Sequence, residues 1–392
     1  MAADDIPMVF EGVEKRIELN FVSTEEAPAS GLRAIERCIW DEVCAKCKCE
    51  IVNHKELPGF DSYILSESSL FVFPLRVVMK TCGTTVPLNG IDLIVRKACE
   101  VGLIPLEMTY SRTSFMFPDL QLFPHNSLEN ELKFLDDMEI NGCVVPGKSS
   151  ILGDPCGKYW LVHRKMFQSE EPMIEVRTPE HRGSDICQNP RVTVDIIMTG
   201  LCSKVCDHFF KDLDKPDCEN EKRMRTCISD ILPEFSDIIG KTYHPCGYSA
   251  NGHEPQGVHD DRCFTVHVTP EEEFSYASFE AVFYPSLARD TSGEFCLDSD
   301  DKLKCEIEGF VGRTLSKFGP AQALVTIMSG DHSLSAAMLP QALCAKQRKL
   351  KFPYRSERFS SDNLLGEDIV ASSIYYSGVS SGNTGTKPTG LS

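Results

Sequence analysis

Along the first hundred residues, apolar positions switch between two spacings. In "KRIELNFV", Ile17, Leu19 and Phe21 alternate with polar neighbours, the period of a strand. Leu32, Ile35, Ile39 and Val43 then recur at helical spacing and predict a helix over 32–43. "SYILSESSLFVF", residues 62–73, reads as a strand with Ser66-Glu67-Ser68-Ser69 set into its apolar run. "LRVVMKTCG" alternates Leu75, Val77 and Met79, and Pro74 before it marks an edge or a bend. A helix over "IDLIVRKACEVG" and a strand over "IPLEMTYSR" complete the order strand–helix–strand–strand–helix–strand.

The second half repeats a similar order without a similar sequence. Strands are expected at "RVTVDIIMTGL", "RCFTVHVTP", "FSYASFEAVFY" and "AQALVTIM", with a helical segment near "RMRTCISDIL". In "DKLKCEIEGFVGRTLSKF", Leu303, Ile307, Phe310 and Val311 share one helical face. Residues 181–190 and 251–262 read as loops. The Gly/Ser/Thr-rich end, "SGVSSGNTGTKPTGLS", reads as a disordered tail. Two antiparallel sheets with helices on their faces, an α+β arrangement, fit this order better than a doubly wound parallel sheet.

Composition narrows the classes of function. The 392 residues suffice for one large core or two ordinary domains, and 42% apolar with 25% charged residues is the balance of a soluble globular protein. A net charge of −18, with no long basic tract, argues against a nucleic-acid partner. The chain lacks an apolar run long enough to span a bilayer, so a membrane partner is not expected. Its acidic N-terminus does not read as a signal peptide, which makes a cytosolic address the default. Eighteen cysteines in a reducing compartment are expected to be mostly buried thiols. "CAKCKC" (Cys44, Cys47, Cys49) lacks the second ligand pair of a zinc site and reads as the end of a helix carrying thiols, so no metal is expected.

Five polar windows hold reactive residue types. They are Phe10-Glu11-Gly12-Val13-Glu14, Glu67-Ser68, "KTCGTT" with Cys82, "HPCGYSANG" with Cys246 and Ser249, and "TVHVTPE" with His267 and Glu271. Taken singly, each has an ordinary reading: a solvated acid, a core histidine, one thiol among many.

Taken together, "FEGVEKRIEL", "YILSESSLFV", "KTCGTT", "PCGYSANG" and "HVTPEEEFSYASFE", in that order, resemble the eukaryotic S-adenosylmethionine decarboxylases. "TYSRTSFMFP" and "IIMTGL" match between them. The resemblance implies a four-layer α/β/β/α sandwich forming one domain over 1–355, with 356–392 as a largely disordered extension. It implies a proenzyme that cuts itself between Glu67 and Ser68. The two chains, 1–67 and 68–392, stay associated, and Ser68 becomes a covalent pyruvoyl group that forms a Schiff base with the substrate amine. The substrate is S-adenosylmethionine, and the product is the aminopropyl donor for spermidine and spermine.

Residue by residue, the resemblance makes Cys82 the proton donor of catalysis. Ser249 and His267 become the processing pair, His267 taking the Cα proton of residue 68. Glu11 and Glu14 become acids of processing or catalysis whose roles are not separated. Phe10 and Tyr243 would stack on the adenine, Leu65 and Glu67 would meet it through the main chain, and Glu271 would hold the ribose hydroxyls. The loop between Ser249 and His267 is longer than in the animal pattern. Animal members are activated by putrescine at buried acids; Asp195, Glu280 and Glu18 fall at such positions, while Arg191 falls where an acid is expected. With Arg16 in "EKRIEL", this implies activity independent of putrescine or weakly stimulated by it. A homodimer is left open. The rivals are an inactive relative that activates or scaffolds a true decarboxylase, a hydrolase using a new N-terminal serine, and an interaction module built on "CAKCKC".

Overall fold

Both sheets put their apolar alternates outward, under helices, and turn their polar alternates toward each other. The computed structural model describes residues 10–378 except 168–190, 330–353 and short stretches at 141–142, 145–146, 155–156, 256–259, 272, 285–286, 290–294, 298–299 and 365–368. The first sheet is built from β1 (Lys15–Ser23), β2 (Ile51–Glu56), β3 (Asp61–Leu65), β4 (Ser68–Val72), β5 (Arg76–Thr81), β6 (Leu103–Thr113), β9 (Lys148–Gly153) and β10 (Tyr159–Met166), in the order β2-β3-β4-β5-β1-β6-β10-β9. A small hairpin, β7 (Glu139–Ile140) with β8 (Cys143–Val144), lies apart from it.

The second sheet comprises β11 (Val192–Thr199), β12 (Asp237–Thr242), β13 (Tyr248–His253), β14 (Cys263–Thr269), β15 (Tyr276–Phe283), β18 (Gln322–Ser329), β19 (Tyr354–Leu364) and β20 (Ile369–Gly378). Its order, β12-β13-β14-β15-β11-β18-β20-β19, repeats that of the first sheet strand for strand. A second small hairpin pairs β16 (Leu287–Arg289) with β17 (Phe295–Leu297).

The outer faces explain why these strands hold. Ile17, Leu19 and Phe21 of β1, with Val77 and Met79 of β5, pack against Trp40, Val43, Leu93 and Ile94 of helices α1 (Arg37–Lys46) and α2 (Ile91–Glu100). Phe264, Val266, Phe279 and Phe283 pack under the helix Asp300–Phe318, with the Phe279 and Phe310 rings 5.1 Å apart, edge to face. Each such buried side chain contributes roughly 1.5–3 kcal/mol. Between the sheets, small apolar clusters join Phe60, Phe71, Phe73 and Val78 to Cys263 and Val282, and Trp160 and Val162 to Ala371. The rest of that layer is polar and charged. The result is the α+β arrangement of two antiparallel sheets expected from the element order, stacked in the four layers that the resemblance implies.

Several expectations change. "SYILSESSLFVF" is a tight hairpin, not one strand: Leu65 pairs with Ser68 across the turn Ser66-Glu67. The turn carries no Gly or Asn signal, so its flanking apolar residues merge into one run. The Leu32–Val43 helix is a short 3-10 turn, Gly31–Ala34, followed by α1. Residues 251–253 belong to β13 rather than to a loop. The extension placed at 356–392 carries two strands among its described residues: β19 and β20 continue the second sheet, and Ala371, Ile374 and Tyr376 are fully buried. Serines between those apolar residues hide their alternation. The loop at 181–190 and the last residues of the tail, 379–392, lie outside the described residues.

Candidate active site

The β3–β4 turn lies beside the start of β1 and the loop after β5. Ser66 exchanges two hydrogen bonds with Glu50, its N–H to Glu50 O at 2.7 Å and its Oγ accepting from Glu50 N at 3.1 Å. The Glu67 carbonyl oxygen accepts from the backbone N–H of Cys82 at 3.1 Å. Ser68 adopts φ 109°, a region that L residues seldom occupy, at a cost of about 1–3 kcal/mol. Its hydroxyl donates to Glu14 Oε1 at 2.8 Å, and Cys82 Sγ lies 3.5 Å away. Cys82 also reaches Glu67 Oε2 at 3.6 Å. Burial, then the carboxylates of Glu67 and Glu14, push the Cys82 thiol well above its ordinary value.

The second sheet closes this group from the other side. His267 and Ser249 stand opposite each other on β14 and β13, with Nδ1 2.9 Å from Ser249 Oγ. His267 Nε2 is 2.7 Å from Thr265 Oγ1, 3.3 Å from Ser69 Oγ and 3.5 Å from Glu14 Oε1. Burial pulls the ring down to about 4, so it is neutral near pH 7.

Glu11 and Glu14, one pair in the sequence, occupy different surroundings. Glu14 faces the inter-sheet layer, and its carboxylate is held low against burial by Lys80, His267, Ser278 and Ser68. Glu11 accepts from the backbone N–H groups of Val13 (3.0 Å) and Phe117 (2.7 Å), and burial raises it. Between them Gly12 is forced: a Cβ there would sit 2.5 Å from the Tyr276 ring.

Lys80 was not anticipated. It is fully buried on β5 and pairs with Glu14 (3.2 Å), Asp195 (3.0 Å) and Glu280 (3.2 Å). Arg16 bridges Glu18 (2.8 Å) and Glu280 (3.0 Å), and Arg191 also pairs with Glu18. The acids Asp195, Glu280 and Glu18 are therefore partnered by cations of the chain itself.

Phe10, Leu65 and Tyr243 lie near the β3–β4 turn. Tyr243 donates to Leu65 O at 2.6 Å. A Cβ on Gly83 (φ 62°) would approach Glu67 Oε2 to 3.1 Å and Phe10 Cε2 to 3.4 Å, so Gly83 keeps the space between them clear. Glu271 stands in the turn after β14, and its buried Oε2 has no hydrogen-bond partner among the described residues. Cys246 beside it is pushed up to about 12, by burial first and then by Glu271.

Sequence reasoning missed Lys80, Ser69, Asn251, Thr265 and Ser278, although all are polar alternates of apolar strands. Cys44 lies in the last turn of α1, Cys47 caps it, and both are buried with Cys49. The Cys47 thiol faces Pro87 O at 3.5 Å and that of Cys49 faces Cys44 O at 3.5 Å, the helix-end reading of "CAKCKC".

A closed polar layer of acids, a thiol and an imidazole, built from both sheets, is the kind of surrounding in which enzymes tune catalytic groups. The profile of the adenosylmethionine decarboxylase family matches residues 7–375, nearly the whole described chain. The S-adenosylmethionine decarboxylase proenzyme of Zea mays is 36% identical over 344 residues, covering 84% of this chain and 75% of the relative. Proenzyme 3 of Arabidopsis thaliana is 34% identical over 325 residues, covering 81% and 82%. A crystal structure of a Trypanosoma brucei AdoMetDC monomer superimposes with TM-score 0.49 at 19% identity, covering 79% of this chain and 99% of that one. The chain belongs to the adenosylmethionine decarboxylase family.

Proposed function

We propose that the chain cuts itself between Glu67 and Ser68 and then decarboxylates S-adenosylmethionine, yielding the aminopropyl donor of spermidine and spermine synthesis. One observation carries the reading: Ser68 is held at φ 109° with its hydroxyl on Glu14, while the Cys82 N–H polarises the preceding carbonyl. Glu14 takes the hydroxyl proton as Ser68 Oγ attacks the Glu67 carbonyl carbon. The C–N bond breaks, the amine of residue 68 gains a proton, and an ester replaces the peptide. His267 removes the Cα proton of residue 68, and the ester leaves as the carboxylate of Glu67. Water then releases ammonia and leaves a pyruvoyl group at residue 68.

The side chains fit that group: Glu14 and Cys82 lie within reach of the Ser68 hydroxyl, His267 lies 3.5 Å from Glu14, and Ser249 lies 2.9 Å from His267. When present, it supplies an electron sink for the carbanion left by CO₂. Cys82, kept protonated by burial and two neighbouring carboxylates, is suited to deliver a proton there. Phe10 and Tyr243 would stack on the adenine, Leu65 and Glu67 would offer main-chain contacts, and Glu271 would offer a carboxylate to the ribose. Lys80, Arg16 and Arg191 already neutralise the acids that would attract a diamine, which supports activity without putrescine. Adding putrescine should therefore leave turnover unchanged; a strong stimulation would overturn that part.

The inactive-relative reading is disfavoured because Ser68 and Cys82 both stand in place. Intact mass and N-terminal sequencing test the whole. Two fragments are expected, split between Glu67 and Ser68, the larger one blocked. A single uncut chain, or a larger fragment with a free serine amine, would overturn the mechanism.

A further inference from the structure

A line of polar side chains between the sheets fixes a proton on His267. Asn251, on β13, crosses to the first sheet, where its Nδ2 donates to Tyr63 O at 3.1 Å and to Ser62 Oγ at 3.0 Å. A backbone carbonyl can only accept, so the amide orientation is determined and Oδ1 faces β4. Oδ1 lies 2.7 Å from Ser69 Oγ and must accept there. The single hydroxyl proton of Ser69 is thereby committed to Asn251.

Ser69 Oγ is also 3.0 Å from Thr265 Oγ1, so in that bond Thr265 donates. The threonine proton is then placed as well, yet Thr265 Oγ1 lies 2.7 Å from His267 Nε2. Two lone pairs at that distance repel; the proton between them belongs to the ring. Glu14, an acceptor 3.5 Å from Nε2, acts in the same sense. The lone pair of the neutral ring is then on Nδ1, 2.9 Å from Ser249 Oγ.

We propose that Asn251 is a positioning residue: through Ser69 and Thr265 it sets the Nε2–H tautomer of His267 and leaves Nδ1, beside Ser249, as the nitrogen that takes up a proton. The importance of this for self-cleavage rests on the function proposed above; the tautomer itself does not.

The test uses the full Ser68→Ala chain with ¹⁵N-labelled histidine, the His267 signals being assigned by comparison with a His267→Gln chain. Imidazole ¹⁵N shifts should show a protonated Nε2 and an unprotonated Nδ1. Ser69→Ala and Thr265→Val each break the line and should shift the ring toward Nδ1–H. Thr265→Ser keeps the hydroxyl that the line needs and should leave the tautomer in place, whereas Asn251→Leu removes the acceptor that commits the Ser69 proton and should shift the ring toward Nδ1–H. A role limited to clamping the hairpin would move none of these shifts. In the chain that retains Ser68, Thr265→Val should slow cleavage on the order of tenfold or more, with Thr265→Ser near the unaltered rate. A ring found as Nδ1–H, or a tautomer indifferent to both Ser69→Ala and Thr265→Val, would overturn the inference. Absence of cleavage in the unaltered chain would instead overturn the proposed function while leaving the tautomer result standing.

Discussion

The backbone N–H of Cys82 donates to the Glu67 carbonyl oxygen at 3.1 Å while the Cys82 thiol lies 3.6 Å from the Glu67 carboxylate. One residue thus touches the junction twice, with its main chain and with its side chain. The main-chain contact survives any substitution at Cys82. The thiol, pushed far up by burial and by Glu67 and Glu14, stays protonated through the neutral range. Alkylation at pH 7.5 should therefore mark the exposed Cys38, Cys218 and Cys305 well before Cys82. Peptide mass mapping over time checks this, and early labelling of Cys82 would contradict a protonated donor.

Glu14 and Glu11 should separate in kinetics. Glu14→Gln removes the base on the Ser68 hydroxyl and should slow appearance of the two fragments by roughly 100-fold. Glu11→Gln keeps an oxygen for the Val13 and Phe117 amides and should cleave at close to the normal rate, with its loss appearing in decarboxylation. Gel time courses of freshly refolded chain distinguish the two.

Lys80→Met would leave Glu14, Asp195 and Glu280 buried around an uncharged side chain. Losing one partner of buried charges costs about 3–5 kcal/mol, to be read from the midpoint of urea unfolding. A smaller loss would mean that the acids take up protons, which potentiometric titration of the folded variant would detect as added proton uptake.

Stability should fall as pH drops from about 6.5 toward 4. Burial pulls both His267 and His163 down to about 4 in the folded chain. Unfolded histidines titrate near 6.5, so in that window the unfolded state holds more protons and acid favours it. Each histidine contributes roughly 2–3 kcal/mol across the window. His163 lies away from Ser68, on β10, and His163→Gln should flatten the profile without touching the cleavage residues. An unchanged slope would show that other groups carry the dependence.

Much of this was legible in the order of residues. Alternation in β1, β5 and β14 announced the strands and their apolar faces, because successive side chains of a strand point to opposite faces. The windows around Glu11, Ser68, Cys82, Ser249 and His267 carried the family, and the structure gathers all five. The hairpin turn at Ser66-Glu67 was not legible, since no glycine marks it and the strain falls instead on Ser68. The strands β19 and β20 were lost behind their serines.

The sequence by itself determined which positions are apolar and which are reactive. It could not say where the polar alternates point. In an ordinary antiparallel sheet they face water; here a second sheet covers them, because both sheets are already closed by helices on their apolar sides. Only that stacking takes water from Glu14, Lys80, Arg16, Asp195 and Glu280 and compels them to pair. It also brings β13 and β14 against the β3–β4 turn, joining residues almost two hundred positions apart into one line of hydrogen bonds, which no local spacing can encode.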